Sequence, residues 1–271
     1  MFRIYIPYNK DKKLKYIFFD DFSILIVMEI IGNSQIIYKA LDISKYNISK
    51  VGEEEKNLSM KEITFKIIVI GDIAVGKSSI IQSLMKKNEG FKENYQATIG
   101  FDIFKYKNKV NDIIINLNIW DTCGLIDFSA STHSLFREAT LAIVVYEIDK
   151  KESYQNIENW INHLKNKAKP DIIIFIVGNK NDLEKLREIK KEEAIEYVKN
   201  NNFNLFIETS AKNNEYVKEL FDQAFVQLYE YSKIHQLKED EDMEEKEDFG
   251  KKRKITLTKK QTKKIKNKKF C

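Results

Sequence analysis

The residues Gly71-Asp72-Ile73-Ala74-Val75-Gly76-Lys77-Ser78 fit the pattern G-x-x-x-x-G-K-[ST]. A glycine loop leaving a strand and opening a helix turns successive backbone N–H groups toward an anion, and the positive helix end adds to their pull. The N–H groups of Ala74, Val75, Gly76, Lys77, Ser78 and Ser79 would wrap a β-phosphate. Lys77 would reach the β- and γ-phosphates, and the Ser78 hydroxyl would ligate Mg²⁺. This much says nucleotide without saying which.

Two further motifs address the base. Asn179-Lys180-Asn181-Asp182 fits N-K-x-D. A carboxylate at Asp182 can accept from guanine N1–H and the 2-amino group together. Adenine offers neither donor, and a buried acceptor left unpaired costs ~1–3 kcal/mol. Asp182 therefore opposes an ATP-dependent enzyme. Glu208-Thr209-Ser210-Ala211-Lys212 follows the apolar stretch Leu205–Ile207, where the Ala211 N–H could donate to guanine O6. His133, His163 and His235 lie far apart, and no Cys/His spacing suggests zinc.

The elements that must hold these motifs alternate. Ile63–Ile70, Ile113–Trp120, Leu141–Ile148 and Asp171–Val177 have the β-branched, apolar character of buried strands. Helical patterns fall at Gly76–Asn88, Lys151–Ala168, Lys191–Asn200 and from Tyr216 to about Ile234. Such alternation predicts an α/β fold, a mostly parallel sheet with helices on both faces and ligands at the carboxyl ends of its strands. The motifs fall there.

The chain has 271 residues, 43% hydrophobic and 32% charged, which supports a real core and excludes wholesale disorder. Two cysteines, Cys123 and Cys271, make no disulfide framework and point to a reducing compartment. The net charge of +5 is uneven: residues 251–271 hold eleven Lys/Arg and no acid, leaving 35 basic against 41 acidic residues elsewhere. A nucleic-acid-binding body is not expected. Glu239–Asp248 carries eight acids. Residues 236–271 read as a flexible acidic-then-basic tail, and 60–235 as the folded domain. Residues 1–59 read either as an extension or as sequence upstream of a start at Met60. Their apolar run Phe22–Met28 carries no charge but is far shorter than the ~20 residues of a membrane span.

From Lys61 to Tyr231 the chain resembles the small GTPases of the Ras superfamily, and among them the Rab family. Trp120-Asp121-Thr122-Cys123-Gly124 is similar to the family's W-D-T-A-G, and Ala97-Thr98-Ile99-Gly100-Phe101-Asp102 to its switch I signature. The stretch Tyr146–Tyr154 is similar to the one that follows the fourth strand in Rabs. The resemblance implies a small-GTPase domain with a six-stranded sheet, binding GTP or GDP with Mg²⁺. It implies that Thr98 closes on the metal and γ-phosphate, that Asp121 holds the metal through a water, that the Gly124 N–H meets the γ-phosphate and that Phe91 lies against the guanine. It also implies an exchange factor, a GTPase-activating protein and effectors at the switch regions of a monomer, which acts in vesicle traffic on the cytosolic face of an internal membrane.

Two positions depart from the pattern. Leu125 stands where the family carries a glutamine that orients the attacking water, and leucine can neither donate nor accept. Ile73 stands where the phosphate loop usually has a small residue, so it should crowd the γ-phosphate and any arginine finger. Slow hydrolysis is expected, with a non-hydrolysing GTP-bound module as the alternative. The final Cys271 is not in a C-a-a-X box; a single prenyl group there would need the basic run as a second membrane signal. Phe128, Leu135 and Phe136 read either as an apolar docking patch or as core.

Overall fold

A computed structural model describes residues 14–18, 25–31, 35–36, 41–52, 60–85, 98–124 and 133–236. Phe91, Leu125, Phe128, the acidic run, the basic tail and Cys271 lie outside these residues. The chain divides into two units, residues 1–228 and 229–271. In the second, residues 229–236 are helical, and the Ser232 hydroxyl donates to the Tyr229 carbonyl at 2.7 Å.

Three strands near the N-terminus, β1 (Leu14–Phe18), β2 (Leu25–Ile31) and β3 (Gln35–Ile36), form an antiparallel sheet of their own. The main sheet is built from seven: β4 (Ile48–Ser49), β5 (Lys61–Ile70), β6 (Phe101–Val110), β7 (Ile113–Thr122), β8 (Leu141–Glu147), β9 (Ile173–Asn179) and β10 (Leu205–Glu208). Their order is β10-β9-β8-β5-β7-β6-β4. The first five in that order run parallel, while β6 is antiparallel to β7 and β4 antiparallel to β6. Continuous Ile/Val runs sit in the middle because both faces there are covered, so neither side needs polar residues.

Alternation along the strands divides the core in two. Ile68, Ile70, Ala142, Val144, Tyr146, Ile174 and Ile176 cluster with Trp160, Ile161, Leu164, Ala194 and Val198. The intervening Ile67, Val69, Ile143, Val145, Phe175 and Val177 are buried on the opposite face. The helices are α1 (Lys77–Met85), α2 (His133–Phe136), α3 (Lys151–Gln155), α4 (Ile157–Lys167) and α5 (Lys191–Asn200). Residues 217–228 are also helical. Helix α1 packs on β7, α3 and α4 on β8, and α5 on β10. Leu135 and Phe136 belong to the core cluster, which decides for them between patch and core.

Three details differ from the sequence reading. The helical pattern Lys151–Ala168 is interrupted at Asn156, whose side chain is turned to Asp72. The helix expected from Tyr216 starts one residue later, because Tyr216 has a φ of +56°. The sheet also has a seventh strand, β4, inside the stretch set apart as an extension. The segment around it offers its main-chain groups to side-chain amides and to the backbone of distant residues. The Leu41 N–H donates to Gln223 Oε1 at 3.1 Å, and Gln223 Nε2 donates to the Leu41 carbonyl at 2.8 Å. The Asn47 N–H donates to Asn111 Oδ1 at 3.0 Å, and the Asn111 N–H to the Asn47 carbonyl at 2.9 Å. Main-chain pairing needs no apolar pattern, so nothing in the local composition announces it.

Candidate nucleotide site

The site lies at the carboxyl ends of β5, β7, β9 and β10. After Ile70 the chain turns through Gly71–Gly76 and enters α1 at Lys77. Ala74 at φ +66° and Gly76 at φ +96° give the loop its left-handed turns. A Cβ on Gly76 would come within 2.2 Å of Asn179 Nδ2, so only glycine lets the loop lie this close to the end of β9. The buried Lys77 ammonium donates to the carbonyls of Gly71 at 2.9 Å and Asp72 at 2.7 Å, which folds the loop around its own lysine. Burial pushes Lys77 down to about 8, against the pull of Asp121 and Asp72.

Three oxygens converge beside it. Ser78 Oγ lies 3.0 Å from Thr98 Oγ1, and the Thr98 hydroxyl donates to Asp121 Oδ2 at 3.4 Å. Asp121 is buried at the end of β7, and its Oδ1 has no hydrogen-bond partner among the described residues. Burial pushes this carboxyl up, while Ser78 and Lys77 draw it back. A hard, all-oxygen set with an unpartnered buried acceptor fits Mg²⁺. One cavity is lined by Ile73, Ala74, Gly76, Lys77, Ser78, Ser79, Thr98, Thr122, Cys123 and Gly124. Gly124 passes directly over the loop: a Cβ there would lie 2.2 Å from the Ile73 nitrogen. Ile73 is 48% exposed at the rim.

The base-side motifs meet through one amide. Asn179 Nδ2 donates to the Val75 carbonyl at 2.9 Å, and its Oδ1 accepts from Thr209 Oγ1 at 3.1 Å and the Ala211 N–H at 3.2 Å. Asn179 thus joins the phosphate loop to both base motifs. The Ala211 N–H, expected from sequence at guanine O6, has Asn179 as its partner in this structure. Asp182 is exposed, and its Oδ1 accepts from the Ser210 hydroxyl at 2.6 Å. Lys212 is exposed in the following turn.

The Ras family model matches residues 66–230, more than half of the chain. This chain belongs to the Ras family. Within it, the chain is a Rab-like, GTP-binding small GTPase of vesicle trafficking. The Ras-related protein Rab-11C of Dictyostelium discoideum is 39% identical over 168 residues, 62% of this chain and 74% of that protein. The Ras-related protein RABA1b of Arabidopsis thaliana is 33% identical over 178 residues, 66% of this chain and 81% of that protein. No described helix is long and apolar enough to cross a membrane.

Several residues that shape this Ras-family site escape sequence reasoning. Asp72 accepts from Asn156 Nδ2 at 2.7 Å and Trp160 Nε1 at 2.8 Å, which ties the phosphate loop to the start of α4. Thr209 stands out in sequence only as one letter of its motif, yet it orients Asn179. Glu147 sits buried beside Lys180. A buried acid in an otherwise apolar strand is the signal that would have found it.

Proposed function

We propose that this chain binds Mg²⁺ with GTP or GDP through residues 60–235 and hydrolyses GTP slowly, switching effector binding at a membrane. The observation that carries this reading is the convergence of Ser78, Thr98 and Asp121 oxygens beside the inward-folded Lys77. Lys77 and the N–H groups of Ala74–Ser79 bind phosphate oxygens and neutralise their charge. Asn179 fixes the loop against the base motifs, and Lys180, Asp182, Ser210, Ala211 and Lys212 surround the guanine, with Phe91 on its other side. The Ser78 and Thr98 hydroxyls and the Asp121 carboxylate would hold Mg²⁺, which when bound screens the negative charge of the phosphates. Thr98 and the Gly124 N–H respond to the γ-phosphate, so its loss frees both loops and changes the surface offered to regulators and effectors. The basic tail, with a lipid at Cys271, attaches the monomer to an anionic membrane.

Leu125 supports the slow rate, because no side chain at that position orients water. The test is single-turnover GTP hydrolysis by the full chain beside Leu125→Gln. The expected result is slow turnover by the wild type and an acceleration on the order of ten- to a hundredfold in the variant. Absence of any gain would rule out Leu125 as the cause of slow turnover. Binding of GTP without hydrolysis by either protein would favour the second reading, a static GTP-bound interaction module, for which the half-exposed Ile73 at the rim of the cavity speaks.

A further inference from the structure

The stretch Tyr146–Tyr154 lies outside the phosphate and base motifs, yet it carries a buried acid near its start. The Glu147 side chain is 4% exposed, and a carboxylate taken so far from water must be matched by a cation. It has two: Lys180 pairs with Oε2, and Lys150 lies 3.0 Å from Oε1. Lys150 is 56% exposed and Lys180 only 30%, so the pair with Lys180 is the less screened.

Both ends of this pair are fixed. The Glu147 N–H donates to Ser153 Oγ at 3.1 Å, and the buried Ser153 hydroxyl also donates to the Lys150 carbonyl at 2.8 Å. The Ile148 N–H donates to the Asn179 carbonyl at 3.1 Å, which holds this stretch against the N-K-x-D segment. Lys180 has a φ of +67°, a conformation unfavourable for a residue with a side chain and sustained only where its surroundings dictate it.

We propose that Glu147 is a positioning residue for guanine binding: it holds the Lys180 ammonium, so that the stem of Lys180 forms a preformed strip beside Asn179 and Asp182. A free lysine stem samples many rotamers and loses that freedom when a base settles on it. A stem already tethered at both ends loses far less, and the difference appears as slower release of nucleotide. The inference rests on the nucleotide reading above and adds a residue outside every motif that defines it.

The experiment measures dissociation of tritiated GDP from the full-length protein in Mg²⁺, for wild type, Glu147→Gln, Glu147→Asp, Lys180→Met and the Gln/Met double variant. Glu147→Gln is expected to speed release roughly tenfold, equivalent to ~1.4 kcal/mol. Glu147→Asp, with its carboxylate retained, falls between it and the wild type. Adding Glu147→Gln to Lys180→Met should change the rate less than about twofold, because the glutamate acts through the lysine. Unchanged release in Glu147→Gln, or effects that multiply in the double variant, would overturn the proposal while leaving nucleotide binding intact. If Glu147→Gln does not fold, Glu147→Asp compared with and without Lys180 separates the same two outcomes. A wild type that binds no GDP would overturn both this proposal and the reading beneath it.

Discussion

Asp72 and Trp160, 88 positions apart in the chain, are joined by a hydrogen bond of 2.8 Å from the indole N–H to the carboxylate. Asp72 belongs to the phosphate loop and Trp160 to the buried face of α4, so the loop is braced against the core by a side chain that never touches a phosphate. Hydrogen bonds to a charged acceptor contribute ~1.5–3 kcal/mol. Trp160→Phe keeps most of the packing and removes the donor. A loss of about 2 kcal/mol is expected in urea unfolding. A change within experimental error would show that Asn156, 2.7 Å from the other carboxylate oxygen, suffices alone.

Lys77 should make nucleotide binding pH-dependent. Burial holds it at about 8, below its ordinary 10.5. A phosphate beside the ammonium favours the charged form, so above pH 8 binding takes up a proton, and affinity falls as pH rises further. Calorimetry of GDP binding at pH 8.5, in two buffers of different ionisation heat, should register this uptake, and Lys77→Met should abolish it. The nucleotide-free protein shows the opposite trend. From about pH 8 upward its unfolded chain binds the extra proton, so its stability rises toward pH 10.5.

Arg187 grips Glu208 with two parallel bonds, Nη1 to Oε1 at 2.7 Å and Nη2 to Oε2 at 2.9 Å. The Glu208 side chain is 3% exposed, and the glutamate raises the arginine's pKa. Arg187→Met leaves that acid buried without its main partner, at an expected cost of about 3–5 kcal/mol in denaturant unfolding. Arg187→Met with Glu208→Met should recover most of the loss, because no charge is then stranded. Equal losses in the single and double variants would assign the effect to packing.

Gln223 reaches Leu41 through both atoms of its amide. Gln223→Leu preserves approximate volume and removes the pair, so the Leu41 amide should exchange with solvent on the order of tenfold faster. The Asn111 amide, bonded to the Asn47 carbonyl, should lose less protection. Unaltered exchange at Leu41 would mean that β4 holds this segment without the glutamine.

What could be read from the sequence follows the physics of each element. The strands β8, β9 and the end of β5 show themselves because burial on both faces demands Ile/Val-rich runs, and β7 because its Ile and Leu residues recur at strand spacing. The phosphate loop shows itself because its chemistry lies in backbone geometry that glycine spacing encodes. β6 is largely exposed along its length and mixes Lys and Asn with its aromatics, so apolar content does not single it out. β4 is two residues recruited by backbone pairing to a partner far along the chain. The brace Asp72–Trp160 was beyond reach, and of Glu147–Lys180 the acid was legible in its apolar strand but its partner was not, since each brace joins segments whose proximity only the fold creates.

The chain contains two tryptophans, and their settings give it two built-in optical probes. Trp120 is half-buried, stacked on Phe101 with ring centroids 4.7 Å apart, and has the Lys66 ammonium 4.0 Å from its ring. Phe101 follows Thr98–Gly100 directly, so the emission of Trp120 reports on that loop and on the solvent beside it. Trp160 is buried and bonded to Asp72, so its emission is expected to lie to the blue of Trp120 and to track the phosphate loop. Replacing either with phenylalanine leaves a single tryptophan, and the two halves of one nucleotide exchange can be timed separately without attaching a dye.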